Sequence, residues 1–334
     1  MVTIALAGDV MLGRGVNEVL GKMRPEEPWG DVLPLMTGGH GYPEVDLRII
    51  NLECALTTRL QPWTRTPKVF HFRADPSVVS VLQAARIDAC SLANNHTLDY
   101  EEEGLLDTLR HLDEAGIQHA GAGKDERHAA RPVILRAGQE GTRVGLVAVT
   151  DNEPAFAAGP DRAGTHYLPV SMEIEVLRRV EDAVGMARAA GAEIVVFSNH
   201  WGPNMVMHPS RLFQEFAHAV IDRGADLYYG HSAHLFQGVE IYRGKPILYD
   251  TGDFIDDYAV DPVLRNDWSF LFVATLERGS FRRLEMHPVV LSYARVSRAT
   301  GTEREAILER MEHLSAELGT SLLRAEEHLV AEPG

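Results

Sequence analysis

Residues 228–258 read YYGHSAHLFQGVEIYRGKPILYDTGDFIDDY, and this stretch decides the fold. A short apolar run, Ala225 to Tyr229, stops at Gly230, and His231 and His234 follow at once. Two β-rich pieces come next, Val239–Tyr242 and Pro246–Tyr249, joined through Arg243-Gly244-Lys245. They lead into an acidic turn with Asp250, Asp253, Asp256 and Asp257. Imidazoles and carboxylates just beyond strand ends are the donor set that a divalent-metal site requires.

Four other apolar runs end in the same way. Val2–Ala7 runs into Gly8-Asp9-Val10, with Arg14 a little further on, and Asp46–Asn51 runs into Leu52-Glu53. Ile87–Ala93 is followed by Asn94-Asn95-His96, and Glu193–Ser198 by Asn199-His200-Trp201-Gly202. Segments of helical spacing lie between them: Pro76–Ala85 with Asp75 as N-cap, Glu101–Ala115 closed by Gly116, a helix capped by Ser171 and ended by Gly191, and Pro209–Arg223. Strands alternating with helices predict a layered α/β fold. In such sheets ligands bind at the carboxyl ends of the strands, where Asp9, Glu53, Asn95, His96, His200, His231 and His234 all fall.

Pro132–Leu135 and Arg143–Thr150 read as further strands, and residues 152–169 as a long surface loop. Trp268–Leu276 and Leu284–Leu291 read as two late antiparallel strands. Thr302–Leu318 reads as an amphipathic helix opened by a capping box, Thr302 with Glu305. Residues 1–300 are expected to form one domain, with 301–334 a helical tail packed on it.

The chain has 334 residues, 45% of them apolar, enough for a sizeable core. A net charge of −16 argues against a nucleic-acid partner, which needs clustered Lys and Arg. It leaves room for a small anionic or peptide-like substrate held by metal ions and a local Arg. The two cysteines, Cys54 and Cys90, are too few for a disulfide framework and read as small buried residues. The aromatic residues Trp201, Phe213, Phe216, Tyr228, Tyr229 and Phe236 read as core. No apolar run approaches the ~18 residues of a membrane span, and the first residues lack the basic start of a signal peptide. The location expected from this is cytoplasmic.

A mixture of Asp, Glu, Asn and His suits Mn, Fe or Zn. Two such ions ~3.5–4 Å apart share a carboxylate and lower the pKa of bound water, while a nearby imidazole protonates the leaving group.

The motifs Gly8-Asp9-Val10-Met11-Leu12-Gly13-Arg14, Asn51-Leu52-Glu53, Ala93-Asn94-Asn95-His96 and His200-Trp201-Gly202, with the block from Gly230 to Asp257, resemble the CapA family. That family is associated with poly-γ-glutamate capsule synthesis and has the calcineurin-like metallophosphatase fold. The resemblance implies a four-layer α/β/β/α sandwich and one or two divalent ions. It implies that Asp9 and His234 hold one ion and Asn95, His200 and His231 the other, with Glu53 as bridge. His96 would be the general acid or would orient the bound group, and Arg14 would meet an anionic group of the substrate. The first motif lacks the Asp-x-His of metallophosphatases, since Val10-Met11 follows Asp9. The acidic cluster Asp253-Asp256-Asp257 either holds the histidines from behind or forms a solvated turn.

Three functions fit these residues. One is hydrolysis of a phosphoester or amide-like bond by metal-activated water. The second is metal-assisted acid–base epimerisation of a peptide residue. The third is a non-catalytic subunit of polymer biosynthesis that keeps a metal site for stability.

Overall fold

The first strand, β1 (Val2–Val10), is buried on both faces. Ile4 and Leu6 enter one hydrophobic core, while Ala5 and Ala7 enter another. Period-two alternation thus puts a packed layer on each side of the strand. The computed structural model describes every residue except 40, 41, 43, 278 and 334. After β1 come α1 (Arg14–Leu20), β2 (Leu47–Leu52), α2 (Val79–Ala84), β3 (Ala89–Ser91), α3 (Glu101–Glu114) and β4 (Gln118–Ala120). The middle of the chain forms β5 (Val133–Ala137), β6 (Thr142–Thr150), α4 (Ile174–Ala189), β7 (Ile194–His200), α5 (Arg211–Asp222) and β8 (Leu227–His231). It continues through β9 (Val239–Tyr242), β10 (Lys245–Leu248), β11 (Asp253–Ile255), β12 (Trp268–Glu277), β13 (Ser280–Ser292) and β14 (Arg295–Arg298). The last elements are α6 (Gly301–Glu317), β15 (Leu323–Arg324) and β16 (Leu329–Ala331).

The strands form two large sheets. The first runs β15-β16-β13-β12-β1-β2-β3-β4, with β11 beside β1 and β14 beside β13. The second runs β9-β10-β8-β7-β6-β5. Parallel pairing at the centre of each sheet brings the carboxyl ends of neighbouring strands to one rim. The sheets pack face to face: Ile4, Leu6 and Ile49 of the first share a core with Leu146, Val196 and Tyr229 of the second. On the outer face of the first sheet, Ala5, Ile50 and Leu52 pack with Val16, Leu82, Leu105 and Leu112 from α1, α2 and α3. On the outer face of the second, Val147, Val195 and Phe197 pack with Val180, Val184, Phe216 and Val220 from α4 and α5. The result is the four-layer α/β/β/α sandwich that the resemblance implied. Among the described residues, no helix is long and apolar enough to cross a membrane.

Several local expectations are corrected. The acidic turn after Tyr249 is not a turn throughout. Asp253–Ile255 forms β11, parallel to β1, because the tight passage at Gly252 lets the chain re-enter the sheet. The capping box of Thr302 does not form: α6 starts one residue sooner, with Thr300 at the N-cap, and Glu305 is engaged by Arg304 and Arg324. Glu173 rather than Ser171 occupies the N-cap of α4, and the Ser171 hydroxyl accepts from the Glu173 N–H. The 152–169 loop is not all surface, since Phe156 and Leu168 are buried and Gly164–Thr165 pairs with Ala122–Gly123. Residues 301–334 are helical only at first. Ile307, Leu308, Met311 and Leu314 of α6 enter the core between the sheets, and β16 pairs with β13. Cys54 and Cys90 are buried free thiols, as expected. Burial pushes the Cys54 thiol up to about 12. Of the aromatic run, Phe213 is half-buried and the other five are buried.

Candidate metal centre

The rim where the two sheets meet gathers the polar strand ends. Asp9 lies in register with Asn51 of β2 on one side and Asp253 of β11 on the other. Across the gap, His200 and His231 are register partners at the ends of β7 and β8. The Tyr229 hydroxyl of the second sheet donates to the Ala7 carbonyl of the first, joining the sheets two residues from Asp9. β1 and the 251–253 segment approach closely there: Asp9 N–H donates to the Gly252 carbonyl at 2.9 Å. A Cβ on Gly8 would stand 1.8 Å from that carbonyl oxygen, so position 8 admits only glycine.

Two groups of donors result, and Asp9 belongs to both. One is Asp9, His200 and His231; the other is Asp9, Glu53, His234 and Asp253; within each, the ligand atoms lie within 4.8 Å of one another. His200 Nδ1 is 2.9 Å from His231 Nδ1 and 3.8 Å from Asp9 Oδ1. His234 Nδ1 is 3.7 Å from Asp9 Oδ2 and 2.8 Å from Asp253 Oδ1. Asn95 Oδ1 is 2.8 Å from His200 Nε2, and Glu53 Oε1 is 3.8 Å from the same nitrogen. Glu53 thus stands between the histidines of the two groups, and Asp9 is shared by distance as well.

Three buried carboxylate oxygens here, Asp9 Oδ2, Glu53 Oε1 and Asp253 Oδ2, have no hydrogen-bond partner among the described residues. Unpartnered anionic oxygens inside a protein are costly, and a cation is the chemical species that offsets them. The electrostatics agree. Burial, with Glu53 nearby, pushes the Asp9 carboxyl well above its usual range. Burial carries Glu53 up to about 8 and Asp250 to about 7. Burial also holds His200 well below the ordinary imidazole value and His231 at about 3, so both are neutral, as ligands must be. Nitrogen, carboxylate and amide donors at these separations fit a divalent ion with bonds of ~2.0–2.2 Å.

The residues around the cup explain its shape. Asn51 Nδ2 donates to Asp9 Oδ1 at 2.7 Å, and Tyr258 OH donates to Glu53 Oε2 at 3.1 Å. Asp250 accepts from the Ala233 N–H at 2.8 Å and from the Gly252 N–H at 2.9 Å. It thereby holds the strained Ser232-to-His234 corner, where Ser232 has φ 120° and His234 φ 57°. His96 Nδ1 is 2.6 Å from Asp99 Oδ2, and His96 Nε2 is 3.9 Å from Glu53 Oε1. Phe72 stacks on the His96 ring at 3.7 Å between centroids. Lys68 reaches Asp99 at 3.4 Å and donates to the Asn95 carbonyl at 2.7 Å. A cavity of about 590 Å³ opens from the cup, lined by Arg14, Asn95, His96 and His234 among others.

All eight candidate residues therefore meet at this rim: Asp9, Glu53, Asn95, His96, His200, His231 and His234 crowd the cup, and Arg14 stands in the wall of the cavity that opens from it. Asn51, Asp99, Tyr258 and Lys68 were not singled out as site residues by sequence, and Asp250 was named only within the acidic turn. Asn51 carried a signal, since it ends its strand in register with Asp9. Lys68 and Tyr258 lie in irregular segments whose placement no periodicity reports.

The family model described as "Bacterial capsule synthesis protein PGA_cap" matches residues 3–258, three quarters of the chain and every residue of the cup. The chain belongs to this family. It is 32% identical to a "Probable polyglutamine synthesis accessory protein" of Mycobacterium tuberculosis, over 99% of this chain and 95% of that one. It is 27% identical to the capsule biosynthesis protein CapA of Bacillus anthracis, over 76% of this chain and 60% of that one. Among solved structures, a 5'-nucleotidase from Candida albicans aligns at 10% identity and a TM-score of 0.46, over 97% of this chain and 60% of its own.

Proposed function

We propose that this family member is a metal-dependent hydrolase of a phosphoester or amide-like bond, serving synthesis of a capsule-type polymer. The observation that carries this reading is the position of His96. Its Nδ1 is held by Asp99 at 2.6 Å while its Nε2 points toward Glu53, at the mouth of the cup. Asp9, Glu53, Asn95, His200, His231 and His234, joined by Asp253, are the residues that would hold one or two divalent ions. Such ions supply Lewis acidity and make water nucleophilic near neutral pH.

The chain's own residues do the rest. Burial keeps the His96 imidazole well below its usual value and therefore neutral. Asp99, which burial moves up to about 7, accepts a hydrogen bond from the Nδ1–H once it is ionised. That tautomer leaves the Nε2 lone pair facing the cavity, where it takes a proton and returns it to the leaving group. Phe72 covers one face of the ring and excludes water from it. Arg14 stands ready for an anionic group of the substrate.

Purified protein stripped with chelator should be inert toward bis(p-nitrophenyl) phosphate and γ-glutamyl p-nitroanilide. Adding Mn²⁺ should restore turnover of at least one. Inactivity on both with Mn²⁺, Fe²⁺ and Zn²⁺ would sink the proposal.

A further inference from the structure

Part of the cavity wall is apolar and exposed. Val69 and Phe70 line it with relative exposures of 85% and 57%. Large side chains so open to water, beside a polar centre, mark a surface that is covered when a ligand is bound. Both come from the 57–72 loop, and Lys68 pins that loop to the site through its bonds to the Asn95 carbonyl and Asp99.

The charges around the wall are sparse. Lys68 is spent: its side chain is 5% exposed and it faces Asp99 and Glu153. Arg14 is the one lining cation, among the described residues, that keeps substantial exposure, at 38% for its side chain. Its guanidinium carbon lies 5.5 Å from the ring centroids of both Phe70 and Phe72, and its Nε is 3.5 Å from Asp257. Arg14 also has φ 52°, a strained conformation for a residue with a side chain, which the Gly15 N–H bond to Asp257 helps to hold. Glu153 adds a negative charge to the same lining.

We infer that the site selects a small substrate bearing one or two negative charges and an apolar, preferably aromatic, arm. The arm lies against Val69 and Phe70, one anionic group meets Arg14, and the scissile group reaches the cup. A polyanionic chain would find no series of cations to follow and would meet Glu153 in a protein of net charge −16. This inference rests on the hydrolase reading for the location of the reacting group, and its test uses binding rather than turnover.

Calorimetric titration of the Mn²⁺-loaded protein with phenylphosphonate, methylphosphonate and tri-γ-glutamate makes the comparison. Phenylphosphonate should bind about tenfold more tightly than methylphosphonate, the scale expected for burying one apolar arm. Phe70→Ala should bring the two within about threefold while leaving metal content unchanged. Arg14→Gln should weaken both phosphonates. Equal affinity for the two phosphonates, an unchanged ratio in Phe70→Ala, or tighter binding of tri-γ-glutamate than of phenylphosphonate would overturn this inference alone. Binding of none of the three probes would overturn it together with the hydrolase reading.

Discussion

His96 Nδ1 lies 2.6 Å from Asp99 Oδ2, three residues along the chain and fully inside the protein. The bond decides which ring nitrogen faces the cavity. Replacing Asp99 by Asn keeps the size and removes the charge that selects the tautomer. We expect Asp99→Asn to lower kcat by about a hundredfold with little change in KM, the range typical of a proton-transfer residue. Metal content by elemental analysis should match the wild type. A pH profile unchanged in shape would show that Asp99 does not act through His96.

Asp9 belongs to both donor groups, so its loss should affect every ion bound. Asp9→Asn should abolish the rise in Tm that Mn²⁺ gives the wild type. The metal-free variant should be as stable as the metal-free wild type or more so at pH 8, because one of several crowded carboxylates has gone. Thermal unfolding with and without chelator measures both effects. A clear Mn²⁺-dependent rise in Tm in the variant would show that the ion sits elsewhere.

The pH dependence has a definite sign. Glu53 has a folded value of about 8 against an ordinary one of 4.5, so it favours the metal-free fold below pH 4.5. That contribution is lost as pH rises through 8, when the buried carboxyl must ionise. His231, held at about 3, acts in the opposite sense: its contribution is present above its ordinary value of 6.5 and lost as pH falls toward 3. Between pH 6.5 and 8.5 the carboxylate effect dominates. Metal-free protein should lose stability over this window, while the Tm gain from saturating Mn²⁺ should grow, since the ion replaces protons. A gain independent of pH would contradict this account of the cup.

Gly8 carries no side chain because the Gly252 carbonyl occupies the space a Cβ would need, at 1.8 Å. The obstacle is backbone and does not yield easily. Gly8→Ala should destabilise the fold by about 3 kcal/mol or more. It should also displace Asp9 and lower Mn²⁺ affinity in whatever protein folds. A Tm within a degree or two of the wild type would show that the two strands separate freely.

Much of this was legible before the structure was known. Continuous apolar runs ending in Asp9, Glu53, Asn95, His200 and His231 mark parallel strands buried on both faces, and strand ends share one rim. The layering followed from the helical segments between them. What escaped was set by long-range packing. Asp253 lies in a three-residue strand whose sequence looks like a turn, and only its pairing with β1 reveals it. Tyr258 and Lys68 come from irregular segments that reach the cup from outside the sheets. The box at Thr302 failed because Arg324, about twenty residues on, competes for Glu305.

The bond from Tyr229 to Ala7 has a further consequence. Asp9 and Glu53 are carried by one half of the sandwich, His200 and His231 by the other, and this tether lies just beneath them. Each donor group draws residues from both halves. Uptake of an ion at the cup would therefore report that the two halves have docked in the correct alignment, and a chain closed out of register would forfeit the site along with its shape.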